Sequence, residues 1–180
     1  MIYVFLADGF EEVEALAPVD ILRRAGLEVQ TVGVTGKTVM GKHNIPVTAD
    51  IEIAEIALNS DLQAVVLPGG LPGAENLDAS KEVQAAIDFA AKNGKFLCAI
   101  CAAPFILGKK GWLNGKNAIC YPGFESDLQG ANIAESAVCR DGNCITAKGM
   151  GVAVDFGLEI TAALVNRETA DKIRESIQCV

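Results

Sequence analysis

The chain has 180 residues, enough for one compact domain that buries about 70% of the surface its unfolded form would expose, without disulfide staples. Hydrophobic residues make up 51% and charged residues 21%, an ordinary globular mix. Lysine and arginine number 15 against 23 aspartates and glutamates, and the net charge of −8 argues against duplex nucleic acid as a partner.

The first apolar run, Ile2-Tyr3-Val4-Phe5-Leu6-Ala7, has no basic residues before it and meets Asp8 at once. It is too short for a secretion leader or a membrane span and reads as a buried strand. No other apolar run approaches about 18 residues, so no membrane association is expected. The cytoplasm is the expected compartment, where the six cysteines are thiols before they are disulfides.

Residues 11–25 read as a helix, with Val13, Leu16, Ala17, Ile21 and Leu22 at helical spacing and Gly26 as its stop. Pro18 predicts a kink there, or the start of a second segment. Residues 27–34 form a second strand. Residues 37–50, rich in glycine and β-formers, predict a hairpin or irregular excursion. Residues 62–68 are another buried strand, ended by Gly69-Gly70. Ser80 caps a helix running to about Asn93, and Gly94 stops it. A strand over 95–100, a short helix over 102–110 and a strand over 117–121 follow. Asp141-Gly142 predicts a hairpin over 136–147, and helices close the chain over 151–165 and 168–177. This alternation predicts a single α/β domain over 1–180, with a mostly parallel sheet covered on both faces and an inserted β-hairpin.

Three predicted strand ends carry the chemistry. The strand over 95–100 runs into Cys101, and a helix is expected to begin right after it. Ligands of α/β sheets bind at the carboxyl ends of strands. A helix N-terminus there aims free N–H groups at the sulfur, so its pKa is expected to fall. The arrangement is a nucleophile elbow with sulfur in place of oxygen. The bland alternative is a small buried core cysteine. A second strand ends in Leu67-Pro68-Gly69-Gly70, which is either a plain turn or a close backbone approach. In the second case the N–H groups of Gly70 and Ala102 form a small anion hole.

The third end is Asp8-Gly9-Phe10-Glu11-Glu12-Val13-Glu14. Glu11 and Glu12 are read as solvated carboxylates that suit a helix N-terminus. Glu14 lies on the stripe continued by Pro18 and Ile21 and points inward. A buried carboxyl has a raised pKa and holds a proton near neutrality, so Glu14 is expected to hydrogen-bond a thiolate at Cys101 without repelling it.

These stretches, with Pro18-Val19-Asp20-Ile21-Leu22-Arg23-Arg24-Ala25-Gly26, Gly73-Ala74-Glu75-Asn76-Leu77, Ala99-Ile100-Cys101-Ala102-Ala103-Pro104 and the Lys148-Gly149-Met150-Gly151 region, resemble the DJ-one branch of the ThiJ/PfpI superfamily in order and over essentially the whole chain. The resemblance implies a flavodoxin-like three-layer sandwich and a homodimer through the first helix. It also implies an oxidisable nucleophile at Cys101, its carboxylic partner at Glu14 and backbone donors at Gly70 and Ala102. Gly69, Tyr121, His43 and Lys148 are further pocket candidates.

Two departures matter. Ala102 stands where the superfamily's proteases carry histidine, which removes the Cys–His pair a thiol protease needs. Tyr121 stands where DJ-one relatives often place a histidine near the thiol, and the single histidine, His43, falls where many relatives have arginine. Tyrosine, with a pKa near 10, is a poor base, so acid–base work falls on Glu14.

Among the other cysteines, Cys98 and Cys101 spell C-x-x-C, but Cys98 belongs inside the strand, facing away, which argues against a redox pair. If Asp141-Gly142 is the turn, Cys139 faces Cys144 closely enough to crosslink under oxidant. Cys120 reads as a strand-core residue and Cys179 as an exposed terminal thiol. No cysteine–histidine spacing suits a metal, and no cofactor is expected.

The resemblance implies a glyoxalase or deglycase class of activity on small aldehydes. The alternatives are a redox sensor that oxidises Cys101 and a binding scaffold with a vestigial site. Protease activity and thiazole biosynthesis find no support in these residues.

Overall fold

A computed structural model describes residues 1–179. The elements in chain order are β1 (Ile2–Leu6), α1 (Glu12–Arg24), β2 (Val29–Gly33), β3 (Thr38–Met40), β4 (Pro46–Thr48), β5 (Ile51–Glu52), β6 (Ala64–Leu67), α2 (Gly73–Ala79), α3 (Lys81–Lys92), β7 (Phe96–Ile100), α4 (Pro104–Lys109), β8 (Asn117–Ala118), β9 (Asn132–Ile133), β10 (Val138–Asp141), β11 (Cys144–Ala147), α5 (Ala153–Leu164) and α6 (Arg167–Ser176). Among the described residues, no helix is long and apolar enough to cross a membrane.

The main sheet runs β10-β11-β7-β6-β1-β2-β5. Every pairing is parallel except β10 with β11. The subset β2-β1-β6-β7-β11 has the flavodoxin-like strand order, whose switch point lies between β1 and β6.

The period-2 alternation of β1 separates two cores. Tyr3, Phe5 and Ala7 pack on one face with Leu77 of α2, Val83 and Ile87 of α3, and Phe105 and Ile106 of α4. Ile2, Val4 and Leu6 pack on the other with Ala15, Val19 and Leu22 of α1 and Phe156 and Ile160 of α5. α6 lies outside them, placing Ala170 and Ile173 against Ile21 and Leu158. The result is the expected three-layer sandwich.

Several local expectations are corrected. Of the two outcomes expected at Pro18, a second segment is excluded: α1 runs through it as one helix. Only one hydrogen bond, to the Glu14 carbonyl, is forfeited by the missing N–H, and tight packing on α5 holds the turn. A Cβ on Gly157 of α5 would lie 3.1 Å from both the Pro18 Cα and the Ile21 Cβ. We expect Gly157→Ala to push these helices apart at a cost of about 1–2 kcal/mol, read as a lower urea midpoint; an unchanged midpoint would mean the contact is slack. Val13 and Leu16, counted with the apolar stripe of α1, are exposed.

The strand over 117–121 shortens to β8, which leaves the main sheet and pairs only with β9. Cys120 is buried, but beyond the strand. The terminal thiol Cys179 is half-buried and accepts from Arg174 Nη1 at 3.4 Å. The inserted excursion is the β3–β4 hairpin, and Ser80 caps α3 by accepting from the Val83 N–H.

The β10–β11 hairpin turns at Gly142-Asn143, because Asp141 pairs with Cys144 and Cys139 with Thr146. Gly142 takes the positive φ of 59° that a glycine-first hairpin turn requires. Cys139 and Cys144 are therefore diagonal neighbours, about 7–8 Å apart by Cα, too far for a disulfide without backbone movement. All six cysteines are free.

Candidate functional site

The order β1-β6-β7 places three strand ends side by side. Asp8–Glu14 follows β1, Gly69-Gly70 follows β6, and Cys101 follows β7. The glycines thus lie between the carboxyl and the thiol.

Gly69 supplies the closest approach. Its N–H donates to Glu14 Oε2 at 3.0 Å and its carbonyl accepts from the Glu11 N–H at 3.0 Å. A Cβ on Gly69 would sit 2.6 Å from the Cys101 Cβ and 2.7 Å from Glu14 Oε2. Gly70 adopts φ 83° and is pressed against Gly9, Phe10 and Glu11, so a side chain is excluded there by both conformation and space.

Cys101 is held at φ 64°, a conformation that costs a non-glycine residue about 1–2 kcal/mol. Its N–H donates to the Ala147 carbonyl at 2.9 Å, and its carbonyl accepts from the Tyr121 N–H at 2.7 Å. These bonds from two other segments fix the sharp turn. α4 begins at Pro104, after a turn over residues 101–103, rather than immediately after the cysteine.

Glu14 is 1% exposed. Burial lifts its pKa from 4.5 to about 7, against hydrogen bonds from Cys101 and the Gly69 N–H that pull it down. The neutral acid expected from the sequence is therefore within reach of physiological pH.

The thiol corrects the sequence reading. Burial is the largest influence on Cys101 and pushes it up, followed by the charge and hydrogen bond of Glu14, to about 12. The Gly70 and Ala102 N–H groups bond to the sulfur and pull the other way, and burial outweighs them. The two groups are therefore coupled, and burial favours the protonated form of each. The sulfur is not a standing thiolate; it sits beside a base poised near neutrality.

A cavity of about 270 Å³ opens above the sulfur. Glu14, Gly70, Cys101, Ala102 and Tyr121 line it as expected, and Glu11, Lys42, Leu71, Phe124 and Met150 line it unannounced. Gly69 lies beneath the reacting pair rather than on the cavity wall. Lys148 lines an adjoining groove that shares Tyr121 and Met150 with the cavity. The missed residues sit on loops and a 3-10 turn, where no periodicity marks an inward side.

His43 lies outside the cavity wall. Its backbone N–H donates to Glu12 Oε1 at 2.7 Å and its Nδ1 lies 2.9 Å from Glu12 Oε2. Glu12 is thus buried, 4% exposed, and is no solvated cap. His43 overcomes the burial that would raise the Glu12 pKa and holds it below the usual range, while Glu12 and Glu11 raise that of His43. Glu11, Glu12 and His43 bring three potential metal-ligating atoms within 4.8 Å of one another, but both Glu12 oxygens are already bonded to His43.

A profile of the DJ-1/PfpI family matches residues 1–163. Protein dj-1beta of Drosophila melanogaster is 33% identical over 177 residues, 97% of this chain and 94% of that one. The Parkinson disease protein 7 homolog of Danio rerio is 33% identical over 175 residues, 95% of this chain and 93% of that one. Among solved structures, oxidized Toxoplasma gondii DJ-1 superposes with a TM-score of 0.93 at 33% identity, covering 98% of this chain and 97% of the other. A cysteine-to-alanine mutant of a DJ-1 superfamily protein from Salmonella typhimurium gives 0.92 at 34% identity, with the same coverage. With the whole α/β sandwich shared and the family profile spanning most of its length, the chain belongs to the DJ-1/PfpI family.

Proposed function

We propose that this protein consumes small 2-oxoaldehydes such as methylglyoxal, with Cys101 as nucleophile and Glu14 as acid and base. The observation that carries the reading is the pairing, at a cavity floor, of a buried thiol with a carboxyl whose pKa is lifted to about 7. A general base is most effective when its pKa lies near the working pH.

The ionised Glu14 takes the thiol proton as the sulfur attacks the aldehyde carbon. The Gly70 and Ala102 N–H groups, freed once the sulfur is bonded to carbon, hold the new oxyanion. After that oxygen is protonated, Glu14 relays the former aldehyde C–H proton to the adjacent carbonyl carbon, which becomes a secondary alcohol and leaves a thioester on Cys101. Water adds to the thioester and the C–S bond breaks, releasing a 2-hydroxy acid and restoring the thiol. The net reaction adds one water. Without histidine beside the thiol, Glu14 serves every proton transfer, which suits modest turnover.

The pH profile tests this reading. Methylglyoxal consumption should rise about tenfold per pH unit below 7 and level off above it, as Glu14 ionises. A flat profile, or one falling through neutrality, would sink the assignment of Glu14 as base.

A second reading is oxidation of Cys101 to a sulfinate held by the same two amides and a protonated Glu14. The similarity to a DJ-1 described in its oxidized form favours it. Dilute peroxide that adds two oxygens to Cys101 alone, in a protein with negligible aldehyde turnover, would select this reading. The exposed Val13 and Leu16 on α1 support assembly as a homodimer through that helix.

A further inference from the structure

We infer that Lys42 makes the Cys101 site selective for electrophiles that carry a negative charge. Applied to the aldehyde reading above, on which this step rests, the substrate class becomes small anionic 2-oxoaldehydes.

Lys42 is the one cation among the residues lining the cavity. Among the described residues, no acid lies within ion-pairing distance of it. Of the nearby acids, Glu12 is bonded to His43, whose Nδ1 lies 2.9 Å from it and 3.5 Å from Glu11. The charge of Lys42 nevertheless reaches the reacting pair, because it favours the ionised form of Glu14.

Its backbone position is built rather than incidental, and its side chain is exposed. The Lys42 N–H donates to the Phe10 carbonyl at 2.8 Å, and the Gly9 N–H donates to the Met40 carbonyl at 2.8 Å. On the other side, the His43 N–H donates to Glu12 at 2.7 Å. Gly41 fits directly against the Glu12 side chain, where a Cβ would come within 2.2–2.5 Å of it. The tip of the β3–β4 hairpin is therefore clamped to the start of α1 on both sides of Lys42. The rest of the wall joins apolar Leu71, Phe124 and Met150 to the carboxyls of Glu11 and Glu14, so Lys42 is the one point on it where an anionic end is attracted. An anionic end held at Lys42 leaves a small molecule's electrophilic carbon free to meet the sulfur.

Two matched pairs of reagents test the inference. Alkylation of Cys101 by iodoacetate and by iodoacetamide, resolved by mass spectrometry of the Cys101 peptide, compares an anion with its neutral counterpart and needs no turnover. Lys42→Met should lower the iodoacetate-to-iodoacetamide rate ratio about fivefold, Lys42→Glu should lower it further, and Lys42→Arg should preserve it. Any change in thiol reactivity acts on both reagents and cancels in the ratio, and a Glu14 made more neutral by the loss of Lys42 would repel iodoacetate less and raise the ratio, so a fall reports Lys42 itself. The second pair is 4,5-dioxopentanoate and 2-oxopentanal, which differ only in carboxylate against methyl. Their kcat/KM ratio should fall in parallel in Lys42→Met. An alkylation ratio unmoved by Lys42→Met overturns the inference, as does a turnover ratio unmoved in an active enzyme. A falling alkylation ratio with neither aldehyde consumed supports the role of Lys42 and removes the aldehyde reading instead.

Discussion

Glu14→Gln is expected to yield a protein more stable than the parent above pH 7 by about 3 kcal/mol, yet at least 100-fold slower on methylglyoxal. The stability half follows from linkage. The folded-state pKa of Glu14 is raised to about 7 from 4.5, so the folded protein binds this proton more tightly than the unfolded chain does. That contribution is fully present below pH 4.5 and is lost as pH rises to 7. Above pH 7 the parent holds an ionised, buried carboxylate, and the gap between the two pKa values corresponds to about 3 kcal/mol. Glutamine keeps the shape, accepts the Gly69 N–H and never ionises. The advantage of the variant should thus be absent near pH 4, grow to pH 7 and then stay constant, as read from urea midpoints across that range. The activity half follows because an amide cannot take the thiol proton, and a positioned general base contributes about 10²–10⁴-fold. Cys101→Ser is the companion variant: with no sulfur to form the thioester, consumption should fall to the buffer rate. Parental turnover in either variant would place the chemistry elsewhere. A stability difference that does not vary with pH would mean that Glu14 titrates in the folded protein as it does in the unfolded chain.

The residues that were legible in the sequence share a property. Each is positioned by backbone pattern over a short range. Glu14 falls on the same stripe as Pro18 and Ile21, and Cys101 ends an unbroken apolar strand, so their places follow from periodicity and from the strand-to-helix switch. The parallel, doubly wound sheet was legible for the same reason. What escaped depends on contacts across the fold. Lys42 enters the cavity because Gly41 fits against Glu12, a contact between segments about 30 residues apart. Glu12 reads as a solvated cap until the hairpin brings His43 over it. The β10–β11 register turned on which two residues formed the tip: Asp-Gly and Gly-Asn are both turn formers, and a one-residue choice moved Cys144 from facing Cys139 to facing Asp141. The thiol pKa escapes for a similar reason: the sequence shows the donors and not the burial that outweighs them.

Gly69→Ala should damage the chemistry beyond its effect on the fold, costing about 2–3 kcal/mol of stability and at least 100-fold in activity. The added carbon would lie 2.6 Å from the Cys101 Cβ, 2.7 Å from Glu14 Oε2 and 3.0 Å from the Ile100 carbonyl oxygen. None of these has room to give way. The Cys101 turn is pinned at both its N–H and its carbonyl, Ile100 belongs to the sheet, and Glu14 Oε2 is bonded to the N–H of Gly69 itself. Relief requires the thiol and carboxyl to separate, and an error of about 1 Å at a reacting centre costs about 10²-fold. Gly94→Ala separates this effect from general destabilisation. Gly94 sits at φ 64° with nothing within 4 Å of a Cβ, so alanine there carries a conformational cost of about 1–2 kcal/mol far from the sulfur. Urea titration and methylglyoxal consumption, measured on both variants, should show stability falling in each and activity falling only in Gly69→Ala. Equal activities at comparable stability would mean that the close approach of Gly69 serves the fold and not the chemistry.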